Sequence, residues 1–406
     1  MALITQINEQ GGDLVNQTEH TIKMLFSLIQ SEICGKELDV KYLDDLSNET
    51  MEQLYKITKS HDIAHLLASA LNKQKRLAQD EISQKYQKQW MMAVYRYEKI
   101  NYELKRVSDI LENHGIVFLP LKGAVLRKYY PEPWMRTSCD IDILIHPEDA
   151  EKAIGILGEA GFTLQKSTTT YDYQMSAPGG VHLELHFSLK QDASILQAEA
   201  ILETVWDECE LETDKQYQYC MRNEMFLFYH IVHMANHFTY GGCGIRPIID
   251  LWLLINKMEF DKDKLRSLLL QSKLLEFYDA SVELSKVWME NASHSDITLR
   301  MEQFILTGGV YGNSSTSALM KAAKGESKLR SFFKLLFIPR ANLEVSYPNL
   351  KKHPILLPFY QIKRWFRIFN RKKRQRIERM TAARNAVDAK EENQTRTLLY
   401  DLGLRE

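Results

Sequence analysis

The spacing of apolar positions changes period twice along the chain. From about residue 17 to residue 114, "TIKMLFSLIQSEI", "ETMEQLYKITKSHDIAHLLASALNKQ" and "AVYRYEKINYELKRVSDILENHG" place apolar side chains three and four residues apart, which predicts helices that each bury one face. Gly115 is placed to end the last of them. The period then drops to two: "IVFLPL", "IDILI", "TLQKS", "YDYQMSA" and "VHLELHFSL" read as short strands. Between the first two, "KGAVLRKYY" reads as a turn at Gly123 and a short helix halted by Pro131 and Pro133. "PEDAEKAIGILGEAGF" reads as a helix opening at Pro147 and closing near Gly161. Helix and strand alternate here, so the middle region is an α/β or α+β unit. After about Asp192 the helical period returns, in "NEMFLFYHIVHMANHFTY", in "IRPIIDLWLLINKM" after a "GGCG" break, and in further helices to about residue 340.

Composition narrows this picture. At 406 residues the chain exceeds the size of one ordinary core, and 45% apolar with 26% charged residues supplies ample core material. A formal net charge of -1 excludes nucleic-acid or membrane binding by bulk electrostatics. Any such role falls to a local patch, and "YQIKRWFRIFNRKKRQRIERM" is one: Lys363, Arg364, Arg367, Arg371 and Arg379 sit beside Trp365, Phe366 and Phe369. This amphipathic stretch, with its basic run over residues 363–379, suits a nucleic-acid backbone, a peripheral membrane contact, or a solvated terminal helix. Five scattered cysteines lack metal spacing and point to reduced thiols. With no signal-like N-terminus and no apolar run long enough to span a bilayer, a cytoplasmic location is expected.

The chemistry concentrates in "SCDIDILI". On a strand, Asp140 and Asp142 share one face while Ile141, Ile143 and Ile145 take the other. Two adjacent carboxylates repel unless a proton, an arginine or a cation relieves them. Mg²⁺ commonly takes one or two carboxylates plus substrate phosphates, and alternation in "VHLELHFSL" offers Glu184 as a third, with His186 beside it. Upstream, Lys122 and Gly123 lie between a strand and a helix N-terminus, a geometry that presents N–H groups to an anion. On the later helix, His230, His233 and His237 share a face but lack a carboxylate or cysteine partner, which argues against zinc. His233 and His237 are instead expected to line a cleft against the α/β unit, within reach of nucleotide and acceptor. Arg246 and Asp250, four apart, are expected to pair with each other.

Together "LPLKGAVLRKYYPEPWMRTSCDIDILI", "LELHFSL" and "HMANHF…GIRPIIDLWLL" resemble an uncharacterised bacterial nucleotidyltransferase family of the polymerase-beta-like superfamily, from about residue 20 to residue 365. The resemblance implies a helix-rich α+β fold with a small mixed β-sheet catalytic core at 115–192. An N-terminal helical segment (1–114), a C-terminal helical domain (193–345) and a basic helical tail (346–406) would surround it. It implies that Asp140, Asp142 and Glu184 bind Mg²⁺, as two ions, with Mn²⁺ as a substitute. Gly123 would shape the nucleotide loop, and Lys122 and Arg136 would contact phosphate. The implied reaction moves a nucleoside monophosphate from an NTP, ATP by default, to an acceptor the sequence does not choose. Asn236 departs from the pattern, standing where the family carries a lysine. A nucleotide-binding regulator or toxin–antitoxin component without turnover, or an enzyme working at a membrane surface, are the rival expectations.

Overall fold

The computed structural model describes residues 12–165, 171–190, 196–309, 312–327, 349–368 and 371–405; between 328 and 348 it describes 333, 337–340, 343–344 and 347. Its N-terminal part is helical: α1 (Gly12–Ile33), α2 (Val40–Asp44), α3 (Asn48–Ser60), α4 (Ala64–Lys73) and α5 (Glu81–Asn113). The long periodic run over 49–74 is two helices, because Asp62 turns the chain with φ +52°. The amides of Asp62 and Ile63 return to the carbonyls of Lys59 and Thr58, a closing pattern that Asp tolerates better than most residues. α5 starts earlier than its apolar spacing suggests, since the Asp80 side chain caps it by accepting from the Ser83 amide.

Five short strands follow: β1 (Phe118–Pro120), β2 (Asp140–Ile145), β3 (Thr163–Leu164), β4 (Asp172–Ser176) and β5 (His182–His186). They form one mixed sheet in the order β1-β2-β5-β4-β3, parallel only between β2 and β5. Of the expected "TLQKS" strand, Lys166 and Ser167 lie outside the described residues. α6 (Gly123–Leu126) and α7 (Ala150–Glu159) occupy the connections on either side of β2. One sheet face is apolar: Ile141, Ile143, Ile145, Leu183 and Leu185 bury against Ile100, Val107 and Leu111 of α5 and Ala153 and Leu157 of α7. The opposite face carries the carboxylates. The helix-rich α+β expectation therefore holds.

The region after Asp192 departs from its all-helical reading. α8 (Leu196–Leu202) is followed by a hairpin of β6 (Cys209–Leu211) and β7 (Tyr219–Met221). Gln218 bridges to Phe118 and the Phe118 amide donates to the Tyr217 carbonyl, so the hairpin covers the open edge of β1. Three-residue strands are too short to show a period, which is why the spacing does not reveal them. Then come α9 (Asn223–Tyr240), α10 (Arg246–Lys257), α11 (Lys262–Gln271), α12 (Leu275–Glu290), α13 (Asp296–Gly308) and α14 (Ser314–Ala323). The last described helices are α15 (Asn349–Lys352), α16 (Leu357–Ile368), α17 (Arg371–Asn385) and α18 (Ala389–Asp401). The basic run lies on α16 and α17, but the side chains of 366–377 are outside the described residues.

One apolar cluster joins distant parts of the chain, from Met24 and Phe26 through α9 and Trp288 to Leu402. Phe26 stacks on Trp288 at 4.5 Å, and Gln30 Nε2 donates to the Trp288 carbonyl at 2.8 Å. Among the described residues, no helix is long and apolar enough to cross a membrane.

Candidate active site

The polar face of the sheet looks across a cleft at α9. Register places Asp140 opposite His182, Asp142 opposite Glu184 and Leu144 opposite His186; β4 adds Asp172 opposite His186 and Gln174 opposite Glu184. The period of two that reveals Asp140, Asp142, Glu184 and His186 would equally have revealed Asp172 and Gln174 in "YDYQMSA", which the sequence reading missed. One ligand atom from each of Asp142, Glu184 and His186 lies within 4.8 Å of the others. Asp140 is not part of that group; it stands at the start of β2, half-buried.

Lys122 joins the two sides of this arrangement. It precedes α6 with φ +44° and ψ −114°, a conformation that costs a residue with a Cβ roughly 1–3 kcal/mol. The turn expected at Gly123 is there, the Ala124 amide returning to the Leu121 carbonyl at 3.1 Å, but its positive φ falls on Lys122. At Gly123 the need for glycine is one of space: a Cβ there would stand 3.2 Å from Ser138 Cβ. The Lys122 backbone conformation sends its Nζ to Asp142 Oδ1 at 2.7 Å, where His186 Nε2 also approaches to 3.0 Å. Burial alone would raise the Asp142 pKa, yet Lys122 and His186 hold it far below the usual carboxylate range. Asp140 goes the other way, pushed up by burial and by the charge of Asp142. His186 is raised, since its bonds to Asp142 and Glu184 outweigh burial.

Arg136 lines the cleft with part of its guanidinium bonded into the protein. Its Nε donates to both oxygens of Asp250, at 2.8 and 2.9 Å, and its Nη1 to the Thr137 carbonyl at 2.7 Å. Tyr130 adds a 2.7 Å bond to Asp250 Oδ1. The expected pairing of Arg246 with Asp250 is therefore replaced. Arg246 reaches Asp62 at 3.1 Å, across 184 residues of sequence. Local spacing cannot report such a partner.

On the far wall, His233 and His237 approach with their Nε2 atoms 3.1 Å apart. Burial and the neighbouring His237 push the His233 pKa well down, and burial followed by Lys122 and Arg246 brings His237 to about 4. Both rings are thus neutral at pH 7. His230 turns away to the Pro247 carbonyl at 3.1 Å.

Two cavities meet at this wall. One, of 230 Å³, is lined by Gly123, Arg136, Asp140, Asp142 and Arg246; the other, of 400 Å³, by Asp172, Gln174, Glu184, His186 and Lys190. Lys122, Tyr229, His233 and His237 line both. The clustered carboxylates suit a hard divalent ion, and the imidazole widens that to Mn²⁺. Asp142 Oδ1 is already taken by two donors, and no described residue donates to its Oδ2. The donor set fits the ion, with Lys122 in competition for Asp142.

The profile of the family described as uncharacterised nucleotidyltransferase matches residues 47–290, more than half of the chain. The chain belongs to this nucleotidyltransferase family. The matched region contains every site residue named above, from Asp62 to Asp250. Compared with curated proteins, this nucleotidyltransferase matches none. Among solved structures it is similar to the solution structure of the antibiotic-resistance factor ANT(2'')-Ia, at 11% identity and a TM-score of 0.30, over 42% of this chain and 90% of that one. A likeness so slight decides nothing about the site.

Proposed function

We propose that this nucleotidyltransferase moves a nucleoside monophosphate from an NTP to a hydroxyl or similar acceptor and releases pyrophosphate. The observation that supports it best is the pairing of Asp142 with Glu184 on adjacent parallel strands, with His186 completing a group of ligand atoms within 4.8 Å. Asp140, Asp142 and Glu184 would hold Mg²⁺, or Mn²⁺ with help from His186; a bound divalent ion neutralises charge on the transferring phosphoryl group. The protein's own residues then position the reactants. As the acceptor oxygen bonds the α-phosphorus, the bond to the β-phosphate oxygen breaks, and the acceptor's proton passes to a carboxylate or a histidine of the cleft.

The test is pyrophosphate release with each of the four NTPs, using labelled nucleotide and mass spectrometry of treated cell extract to find the acceptor. The double variant Asp140→Asn, Asp142→Asn is expected to lose turnover by roughly 10³-fold, equivalent to several kcal/mol of charge stabilisation. Retained turnover in that variant removes the proposal.

One observation favours a second reading, nucleotide binding without turnover: the Lys122 ammonium already neutralises Asp142. Nucleotide binding with no pyrophosphate release across a broad acceptor screen would support it.

A further inference from the structure

Lys122, Arg136 and Arg246 line the 230 Å³ cavity together with Asp140 and Asp142, and they are partnered differently. Lys122 is bound to Asp142, and Arg136 to both oxygens of Asp250. Arg246 is anchored through one nitrogen. Its Nη1 donates to Asp62 Oδ2 at 3.1 Å, to the Thr137 carbonyl at 3.1 Å and to Thr137 Oγ1 at 3.0 Å. Its Nε is buried with no acceptor among the described residues, and no described residue accepts from Nη2. The guanidinium is thus fixed at one corner while donors remain uncommitted in the wall of the 230 Å³ cavity.

A buried charged donor without an acceptor is unfavourable, and an arginine fork matches the paired oxygens of a phosphate. The side chain of Arg246 is only 13% exposed, so bulk water cannot satisfy it the way it satisfies a surface arginine. Asp62 is what aims it. That carboxylate sits on the left-handed turn between α3 and α4, accepts from Thr137 Oγ1 at 3.0 Å, and lies 3.7 Å from Arg96 Nη1. The N-terminal helices therefore reach Arg246 through the Asp62 side chain. Arg246 also acts on the opposite wall, where its charge is one of the causes that depress the His237 pKa.

We propose that Arg246 receives the phosphate oxygens of an oligophosphate in the 230 Å³ cavity, with Asp62 as its positioning residue. The inference deepens the nucleotidyl-transfer reading and rests on it for the identity of the anion as an NTP. The oligophosphate chemistry itself can be measured without turnover. Inorganic tripolyphosphate and pyrophosphate are titrated calorimetrically into the full chain at low salt, with circular dichroism as the check of folding. Arg246→Gln is expected to weaken tripolyphosphate binding about tenfold or more, Arg246→Lys to restore part of it, and Asp62→Asn to cost several-fold. Should Arg246→Gln not fold, Arg246→Lys carries the test through a several-fold loss. Wild-type affinity in the Arg246 variants, or no tripolyphosphate binding by the wild type, overturns the proposal. If binding depends on Arg246 while the wild type releases no pyrophosphate from any NTP, the anion site stands and the transfer reading falls. If the wild type turns over and Arg246→Gln binds tripolyphosphate as well as it does, the transfer reading stands and the anion site falls.

Discussion

Lys122 concentrates the tension of the site in one residue. Its backbone is strained, and its half-buried ammonium occupies the carboxylate that a divalent ion would use. Both features make sense if the side chain has a second place to go, such as an incoming phosphate. Replacing it should therefore separate two properties. Lys122→Ala is expected to raise Mn²⁺ affinity of the nucleotide-free protein roughly tenfold, because Asp142 loses its resident cation, and to weaken NTP binding. Mn²⁺ titration followed by electron paramagnetic resonance reads the first effect, and an unchanged affinity would show that Lys122 does not compete. At this scale Asp140, Asp142, Glu184 and His186 are legible in sequence, because alternation assigns faces from neighbours two residues away. Asp62 and the true partner of Asp250 are not legible. Their roles exist only once α3, the loop before β2 and α10 have come together.

Among the elements, α9 sets the distance between the cleft walls, and its end is fixed by close backbone approach. Gly241 closes the helix with φ +110°, and a Cβ on Gly242 would overlap the backbone of Gly312 just before α14. Gly242→Ala is expected to destabilise the protein by about 2–3 kcal/mol, an overpacking cost that rigid backbone cannot relieve. Urea unfolding measures it, and a loss below about 0.5 kcal/mol would mean that the two segments can part. The "GGCG" break is readable as a helix stop, but nothing local announces that Gly312 is pressed against it. The β6–β7 hairpin was hidden for a related reason: its place is set by the open edge of β1, far earlier in the chain.

For the molecule as a whole, two buried histidines make stability depend on pH. Burial lowers His61 to about 4 against its bond to the Leu306 carbonyl, and lowers His65 to about 4 against its bond to the Met135 carbonyl. The folded state keeps both neutral, whereas the unfolded chain protonates them near their ordinary value of about 6.5. Their contribution is therefore complete above about pH 6.5 and is lost as pH falls toward 4. Unfolding free energy should drop by up to ~1.4 kcal/mol per pH unit for each histidine in that window. His61→Gln should reduce the slope by one proton, and a wild-type slope in that variant would show that His61 titrates normally.

The contact between Phe26 and Trp288 sets a timetable for biogenesis. Gln30 and Trp288 are 258 residues apart, so at ribosomal rates of about 5–20 residues per second the first helix waits roughly 13–50 s for its packing partner to be made. During that interval α3 and α4 can already cover part of α1, but the side of α1 that carries Phe26 lacks its native ring, and a nascent chain stalled before α12 should be a preferred chaperone client.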